Sequence, residues 1–194
     1  MENKFKQDKR SLKTRKAIKL ALFKMLKTTD MDSISITALT KLAGINRNSF
    51  YTHYTSIYNI IDDINCDILN QVNDMLEKYT YRSFRQDSLP LITEFSKNLS
   101  SNVYFAEYVL FSKSNSDLLR KLKEYICIRC VQKYEEENGY LSDIVPYMVS
   151  FLVGGVFDIY GLWFASGRNV PIETITQKTA EFINRGIRSM SDLK

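Results

Sequence analysis

The sequence predicts an all-α chain of about nine helices. Three observations carry this prediction. Apolar residues recur at spacings of three and four along most of the chain. Only seven Gly and three Pro occur in 194 residues, too few for the frequent turns of an all-β chain. No segment reads as a convincing strand, and no internal repeat or low-complexity stretch interrupts the helical pattern. An apolar content of 44% is enough to build a real core and argues against disorder.

The elements follow in order. From Thr14 on, Ile18, Ala21, Leu22, Met25 and Leu26 form one apolar stripe; Lys13, Arg15, Lys16, Lys19, Lys24 and Lys27 take the other positions, and Thr28-Thr29-Asp30 ends the helix. Ser35 is a suitable N-cap for a short second helix, whose inner face is Ala38, Leu39, Leu42 and Ala43. Gly44 stops it, because Gly accepts the left-handed conformation just past a helix end. Asn46 caps a third helix, Arg47 to Tyr54. Thr55-Ser56 breaks again, and a long helix runs from about Ser56 to Tyr79 along Ile57, Ile60, Ile61, Ile64, Ile68, Val72, Met75 and Leu76. Ser88-Leu89-Pro90 reads as a helix start, with helices expected near 88–100, 102–112 and 116–137. Ser142-Asp143 opens another that reaches Gly167. Asn169-Val170-Pro171 opens the last, with Ile172, Ile175, Thr179, Phe182 and Ile183 on one face. Two domains are expected: residues 1–55, three helices around a helix-turn-helix, and residues 56–194, a helical body for ligand binding and dimerisation.

Charge separates the two. Residues 1–56 hold twelve Lys/Arg against four Asp/Glu, whereas the remainder is net acidic. A clustered basic face attracts polyanions. A solvated basic tail is the bland reading of that charge alone, and the segment Ser35 to Tyr54 tips the balance. Two short helices joined by a tight turn at Gly44, with Ala38, Leu39, Ala43, Ile45 and Phe50 placed to pack them together, read as a helix-turn-helix that offers its second helix to the major groove of double-stranded DNA. Arg47 suits a bidentate contact with guanine and Asn48 one with adenine. Ser49, Tyr51, Thr52 and His53 suit phosphates, and the open backbone N–H groups near Asn46 add a phosphate site.

The stretch Ala43-Gly44-Ile45-Asn46-Arg47, followed by Ser49-Phe50-Tyr51-Thr52-His53-Tyr54, resembles the signature of TetR/AcrR transcriptional regulators, and the preceding helix with Thr14, Arg15, Ile18 and Ala21 fits as well. The match covers about residues 10–65 at fixed spacing. The resemblance implies phosphate contacts from Ser49, Tyr51 and His53, base contacts from Arg47 and Asn48, and packing by Phe50 and Tyr54. It further implies a homodimer on a pseudo-palindromic operator, repression as the default effect, and release by a small-molecule effector. Two positions depart from the pattern. Asn48 stands where a small residue usually precedes the Thr-Phe-Tyr triplet, here Ser49-Phe50-Tyr51, and Ile57 where a phosphate-binding Lys commonly begins the fourth helix; Lys13, Lys16 and Lys41 are placed to compensate.

Phe151-Leu152-Val153-Gly154-Gly155, Trp163, Gly167 and Pro171 resemble one branch of the same family, in which the last two helices pair with their copies. Two adjacent glycines inside a helix cost about 1 kcal/mol each against alanine and need a reason. Close approach of another helix is one such reason, and a kink over an internal neighbour is another. The interface is expected at Gly154, Gly155, Trp163, Ile175 and Phe182. The middle of the chain is rich in aromatics, and an effector pocket for a small apolar or aromatic molecule is expected among Tyr104, Tyr108, Tyr125, Tyr147, Phe151 and Asp158, an aromatic core being the plainer alternative.

Enzyme chemistry is not expected. The only histidine is His53, on the recognition helix, which removes Ser-His-Asp and Cys-His machinery. There is no Gly-rich phosphate loop and no HExxH, so no cofactor or metal is expected. Cys127 and Cys130 spell CxxC without a second pair at zinc spacing, which leaves buried side chains or a thiol redox sensor. Three cysteines and a polar N-terminus fit a reducing cytoplasm. Ile144 to Ala165 approaches membrane-spanning length, but Pro146, Asp158 and three glycines favour a helix buried in a dimer. A second functional reading, a scaffold of the same fold that acts through a protein partner with little direct DNA readout, rests on Asn48 and Ile57.

Overall fold

The computed structural model describes residues 2–101, 106 and 116–190. Among them it contains nine α-helices, one turn of 3-10 helix and no strand. The helices fall into two compact units, one ending at Ile68 and the other beginning at Leu69.

In the N-terminal unit, α1 spans Glu2–Leu26, a 3-10 turn covers Met31–Ser33, α2 spans Ile36–Ala43 and α3 spans Arg47–Tyr51; α4 spans Ile57–Glu77 and contributes its first three turns. α1 starts well before Thr14, because residues 2–13 contain no Gly or Pro and are rich in Lys, Arg and Gln, all good helix formers. The α2 cap forms as expected: Ser35 Oγ accepts the Ala38 N–H at 3.2 Å. At the other end Gly44 adopts φ +67°, and the Ile45 N–H closes back on the Thr40 carbonyl at 3.1 Å. α3 is shorter than expected, with 52–54 forming the turn that follows it.

Ile18, Leu22, Leu39, Phe50 and Ile60 are fully buried in this unit, joined by Ala21, Ile34, Tyr54, Ile57, Ile64 and Ile68. The inner face of α2 differs from expectation. Leu39 and Thr40 are buried, while Ala38 is exposed and Leu42 is 51% exposed. α2 has only eight residues, and α1 and α3, which pack against it, cover the arc of positions 36, 39, 40 and 43.

In the C-terminal unit, the end of α4 is followed by α5 (Tyr81–Gln86), α6 (Leu89–Ser101), α7 (Ser116–Asn138), α8 (Val145–Ala165) and α9 (Ile172–Met190). α5 was not anticipated. It is nucleated by a capping box between Thr80 and Ser83, and the Glu137 carboxylate accepts the N–H groups of Tyr81 and Arg82. The helix expected near 102–112 lies outside the described residues except for Ala106, which is buried.

α9 packs on α6 and α8, and α7 packs on α8. The core of this unit gathers Ile92, Leu99, Ala106, Tyr160, Trp163, Ala180, Ile183 and Ile187. Three buried hydroxyls run through it: Ser96 Oγ lies 2.6 Å from Thr176 Oγ1 and is hydrogen-bonded to the Tyr160 hydroxyl. Ser96 also reaches the Ile92 carbonyl, and Thr176 the Ile172 carbonyl, each at 2.7 Å, so the cluster is satisfied without water.

Candidate nucleic-acid interface

α3, the second helix of the helix-turn-helix, is held from behind. Phe50 is fully buried and meets Tyr51 edge-on at 5.4 Å and Tyr54 at 6.1 Å between ring centroids. Tyr54, three residues past the end of α3, is only 4% exposed and donates its hydroxyl proton to Asp63 Oδ2 of α4 at 2.6 Å. Arg15 of α1 donates to both Tyr54 and Asp63, and Lys19 Nζ lies 2.7 Å from Asp63 and 2.5 Å from Asp67. Burial works against ionising Asp63, but the bonds from Lys19, Tyr54 and Arg15 overcome it and hold its pKa at about 2. Burial, then the Asp63 carboxylate, pushes the Tyr54 hydroxyl well above its ordinary range. Bonds to Tyr54 and Asp63 keep the Arg15 guanidinium more firmly charged than usual. These four side chains therefore tie α1, α4 and the turn after α3 together.

The network was not foreseen, although the sequence carried a signal. Arg15/Lys19 and Asp63/Asp67 are two pairs with the same four-residue spacing, which puts each pair on one helix face.

In front, Arg47, Asn48, Tyr51 and Thr52 are exposed, and Ser49 and His53 are half-buried. Arg47 folds over Tyr51, its guanidinium carbon 5.6 Å from the ring centroid and its Nη2 3.2 Å from the hydroxyl. Asn46 Oδ1 accepts the Ser49 N–H at 2.6 Å, so that donor is already used. Thr52 Oγ1 donates to the Asn48 carbonyl at 3.0 Å, so its proton is likewise committed. Lys13 on α1 and Lys41 on α2 are exposed. Ile57 is buried in the core, and its neighbour Tyr58 donates to Asp32 at 2.6 Å.

The residues expected to line an effector pocket are not brought together. Tyr104 and Tyr108 lie outside the described residues. Tyr147 and Phe151 are 71% and 73% exposed, because they lie on the opposite side of α8 from its buried aromatics Phe157, Tyr160 and Trp163. Asp158 is exposed and ion-paired with Lys123 at 3.1 Å. Tyr125 is half-buried and donates to Asn73 at 2.7 Å. A cavity of about 80 Å³ lies elsewhere in the unit, with mostly carbon walls that include Leu76, Tyr81, Phe84, Cys130, Val149 and Leu152. Burial pushes the Cys130 thiol up to about 11 and raises Cys127 as well, which leaves both protonated near neutral pH and poor nucleophiles. No cluster of metal ligands occurs among the described residues.

Among the residues expected at a dimer interface, Gly155 and Phe182 face outward, Phe182 at 79% exposure, and Gly154 is half-buried. A Cβ added at either glycine would meet nothing within 4 Å, so no neighbour among the described residues accounts for the pair. Trp163 must be corrected. It is 8% exposed, sits in the core of its own chain and donates its indole N–H to the Val170 carbonyl at 2.7 Å. Ile175 is half-buried against the same core. α8 is long and apolar enough to cross a membrane by length and composition; 28% of its most apolar window is buried.

No family model and no curated protein matches the sequence. Solved structures do. NalD of Pseudomonas aeruginosa, the secondary repressor of the MexAB-OprM multidrug efflux pump, superposes with a TM-score of 0.63 at 18% identity, covering 92% of this chain and 97% of that one. A TetR transcriptional regulator from Streptococcus agalactiae superposes with a TM-score of 0.58 at 16% identity, covering 92% and 98%. With a helix-turn-helix ahead of a helical body, the chain has the fold of the TetR transcriptional regulators.

Proposed function

We propose that the protein is a transcriptional regulator that binds a pseudo-palindromic operator in double-stranded DNA as a homodimer. The observation that carries this reading is the recognition helix, with Phe50 and Tyr54 anchored in the core and Arg47, Asn48 and Tyr51 exposed on the other side. A helix so presented fits the major groove, where Arg47 and Asn48 read bases. Tyr51, Ser49, His53, Lys13 and Lys41 hold phosphates. Thr52 shapes the helix end rather than donates to DNA, since its hydroxyl proton is committed to the Asn48 carbonyl, whereas Asn46 caps the helix through Oδ1 and keeps its amide N–H groups for a phosphate.

Dimerisation is supported by the outward stripe Tyr147, Phe151, Gly155, Ile159 and Leu162 on α8, together with Phe182 on α9. A contiguous exposed apolar face is the usual mark of a protein–protein contact. Two-fold symmetry would then place the recognition helices on successive grooves about 34 Å apart. Repression in the cytoplasm is the default effect. A small apolar effector is assigned to the carbon-lined cavity beside Cys130 in place of the aromatic set read from the sequence.

The test is fluorescence polarisation of the purified protein on palindrome-like segments upstream of its coding region, at two salt concentrations. Tight, sequence-selective, salt-sensitive binding supports the reading. Buried Ile57 supplies no phosphate contact at the start of α4, and this favours a second reading in which the fold acts through a protein partner. Weak binding that is equal on random duplex and nearly independent of salt would select that second reading.

A further inference from the structure

The carbon-lined cavity of the C-terminal unit has one charged side chain in its wall among the described residues, Lys133 of α7. Other polar atoms of the wall are already spent. The Tyr79 hydroxyl donates to Glu94 at 3.1 Å, and Thr80 Oγ1 accepts the Ser83 N–H at 3.0 Å. The Cys130 thiol, held protonated by burial, is a weak donor. The Lys133 ammonium offers three strong donors on a side chain that is only 17% exposed.

Those donors are short of acceptors. The ion-pair partner of Lys133 is Glu77, the last residue of α4, and their separation of 3.8 Å exceeds hydrogen-bond length. Arg129, one turn earlier on α7, donates to the same oxygen of Glu77 and holds it more closely. The Arg129 Nε–H is itself buried with no acceptor among the described residues. Two cations therefore share one carboxylate oxygen. The acids that follow Lys133 on α7 do not make up the difference: Glu137 accepts the N–H groups of Tyr81 and Arg82, and Glu136 is exposed.

This imbalance constrains what the cavity can hold. A wholly apolar molecule seated there would strip the remaining water from Lys133 and return no acceptor, which costs free energy. A cationic molecule would meet like charge. A molecule with a carboxylate at one end supplies both the acceptor and the opposite charge, while its apolar remainder meets the carbon walls. The volume of about 80 Å³ has room for about five to eight water-sized groups, the bulk of a short aliphatic chain or a single ring.

We propose that the cavity binds a small monocarboxylic acid, its carboxylate on Lys133 and its apolar body among Leu76, Phe84, Val149 and Leu152. The inference deepens the effector site assigned above and rests on it. Lys133 is the residue that selects acids over neutral molecules of the same shape.

The experiment is isothermal titration calorimetry of the full chain with butanoate, hexanoate, octanoate and benzoate, each compared with the primary alcohol of the same skeleton. The acids that bind should do so about 10- to 100-fold more tightly than their alcohols, the range of one charged hydrogen bond. Lys133→Met should remove that preference and leave the alcohols bound, whereas Lys133→Arg should keep it. Val149→Trp fills the cavity and should abolish binding of both series; Leu91→Trp serves the same purpose if circular dichroism shows the first variant unfolded. Equal binding of acids and alcohols, or an acid preference that survives Lys133→Met, with binding still abolished by the tryptophan, would refute the carboxylate anchor and leave the effector cavity standing. If none of these probes binds, or if binding survives the tryptophan, the anchor and the cavity reading fall together.

Discussion

Replacing Asp63 by Asn tests whether the α1–α4 network holds the recognition helix in place. Asn keeps the shape and one acceptor oxygen but removes the charge that Arg15 and Lys19 approach. The carboxyl side chain is 18% exposed and its pKa is displaced from 3.8 to about 2. At 1.36 kcal/mol per pK unit, the folded state favours the ionised form by about 2–3 kcal/mol. That is the expected loss in urea unfolding at pH 7, equivalent to about 5–10 °C in Tm for a chain of this size. The sign of the pH dependence follows from the depressed folded value. The contribution is complete above the unfolded value near pH 4 and is lost as pH falls through about 2. The gap between wild type and Asp63→Asn should therefore be full at neutral pH, narrow below pH 4 and close near pH 2. Asp67→Asn is the control. Its side chain is 53% exposed, so the pair with Lys19 is a surface ion pair worth about 1 kcal/mol or less. Equal losses from the two variants, or a gap for Asp63→Asn that persists to pH 2, would refute the reasoning.

Other perturbations address the remaining parts of the molecule. Arg47→Ala should relax preference at one base step by about 1–3 kcal/mol, whereas Tyr51→Ala should weaken binding to all duplexes alike; selectivity left intact by Arg47→Ala in a competition titration would displace Arg47 from the base-reading role. Gly155→Glu places a charge on the outward face of α8, where nothing obstructs a side chain, so light scattering should report monomers with unchanged helicity, and an intact dimer would remove α8 from the interface. Ser96→Ala leaves the hydroxyls of Tyr160 and Thr176 short of one partner and should cost about 1–3 kcal/mol by thermal denaturation; a neutral result would mean that the two close on each other. A neutral maleimide at pH 7.5 should modify exposed Cys66 long before Cys130, and comparable rates at the two thiols by mass spectrometry would contradict the burial that raises Cys130.

The features legible in the sequence were those decided within a few residues. Ser35, Gly44 and Asn46 each satisfy or end a helix using only atoms nearby in the chain, so their roles could be read from residue type and spacing. The apolar repeat from Ile57 to Leu76 gave α4, and most of its members are buried. α5 escaped because its capping box is Thr-x-x-Ser rather than the usual Thr-x-x-Glu, and because part of its support comes from Glu137, more than fifty residues away. The ionic network behind the recognition helix escaped for a related reason. Each pair has helical spacing, but nothing local says that the two pairs face one another.

The C-terminal unit shows why an aromatic-rich helix resists such reading. α8 is apolar on nearly all sides, so periodicity does not select an inner face. Its inner positions turned out to be Phe157, Tyr160 and Trp163, and its outer ones Tyr147, Phe151 and Leu162. What separates them is which neighbours arrive. Tyr160 meets Ser96 and Thr176, and Trp163 meets the Val170 carbonyl, partners that satisfy its polar atom as burial requires. Tyr147 and Phe151 meet no such partner among the described residues and stand exposed beside a glycine pair with open space around it. Residues of one chemical type on one helix are thus divided between a core and a surface, and the glycines mark the surface side. If that surface is the interface, covering it should raise stability with the logarithm of protein concentration, because a ligand that binds only the folded state, a second copy included, stabilises by mass action. A Tm that is independent of concentration over two decades, in a chain that light scattering reports as dimeric, would place the contact on some other face.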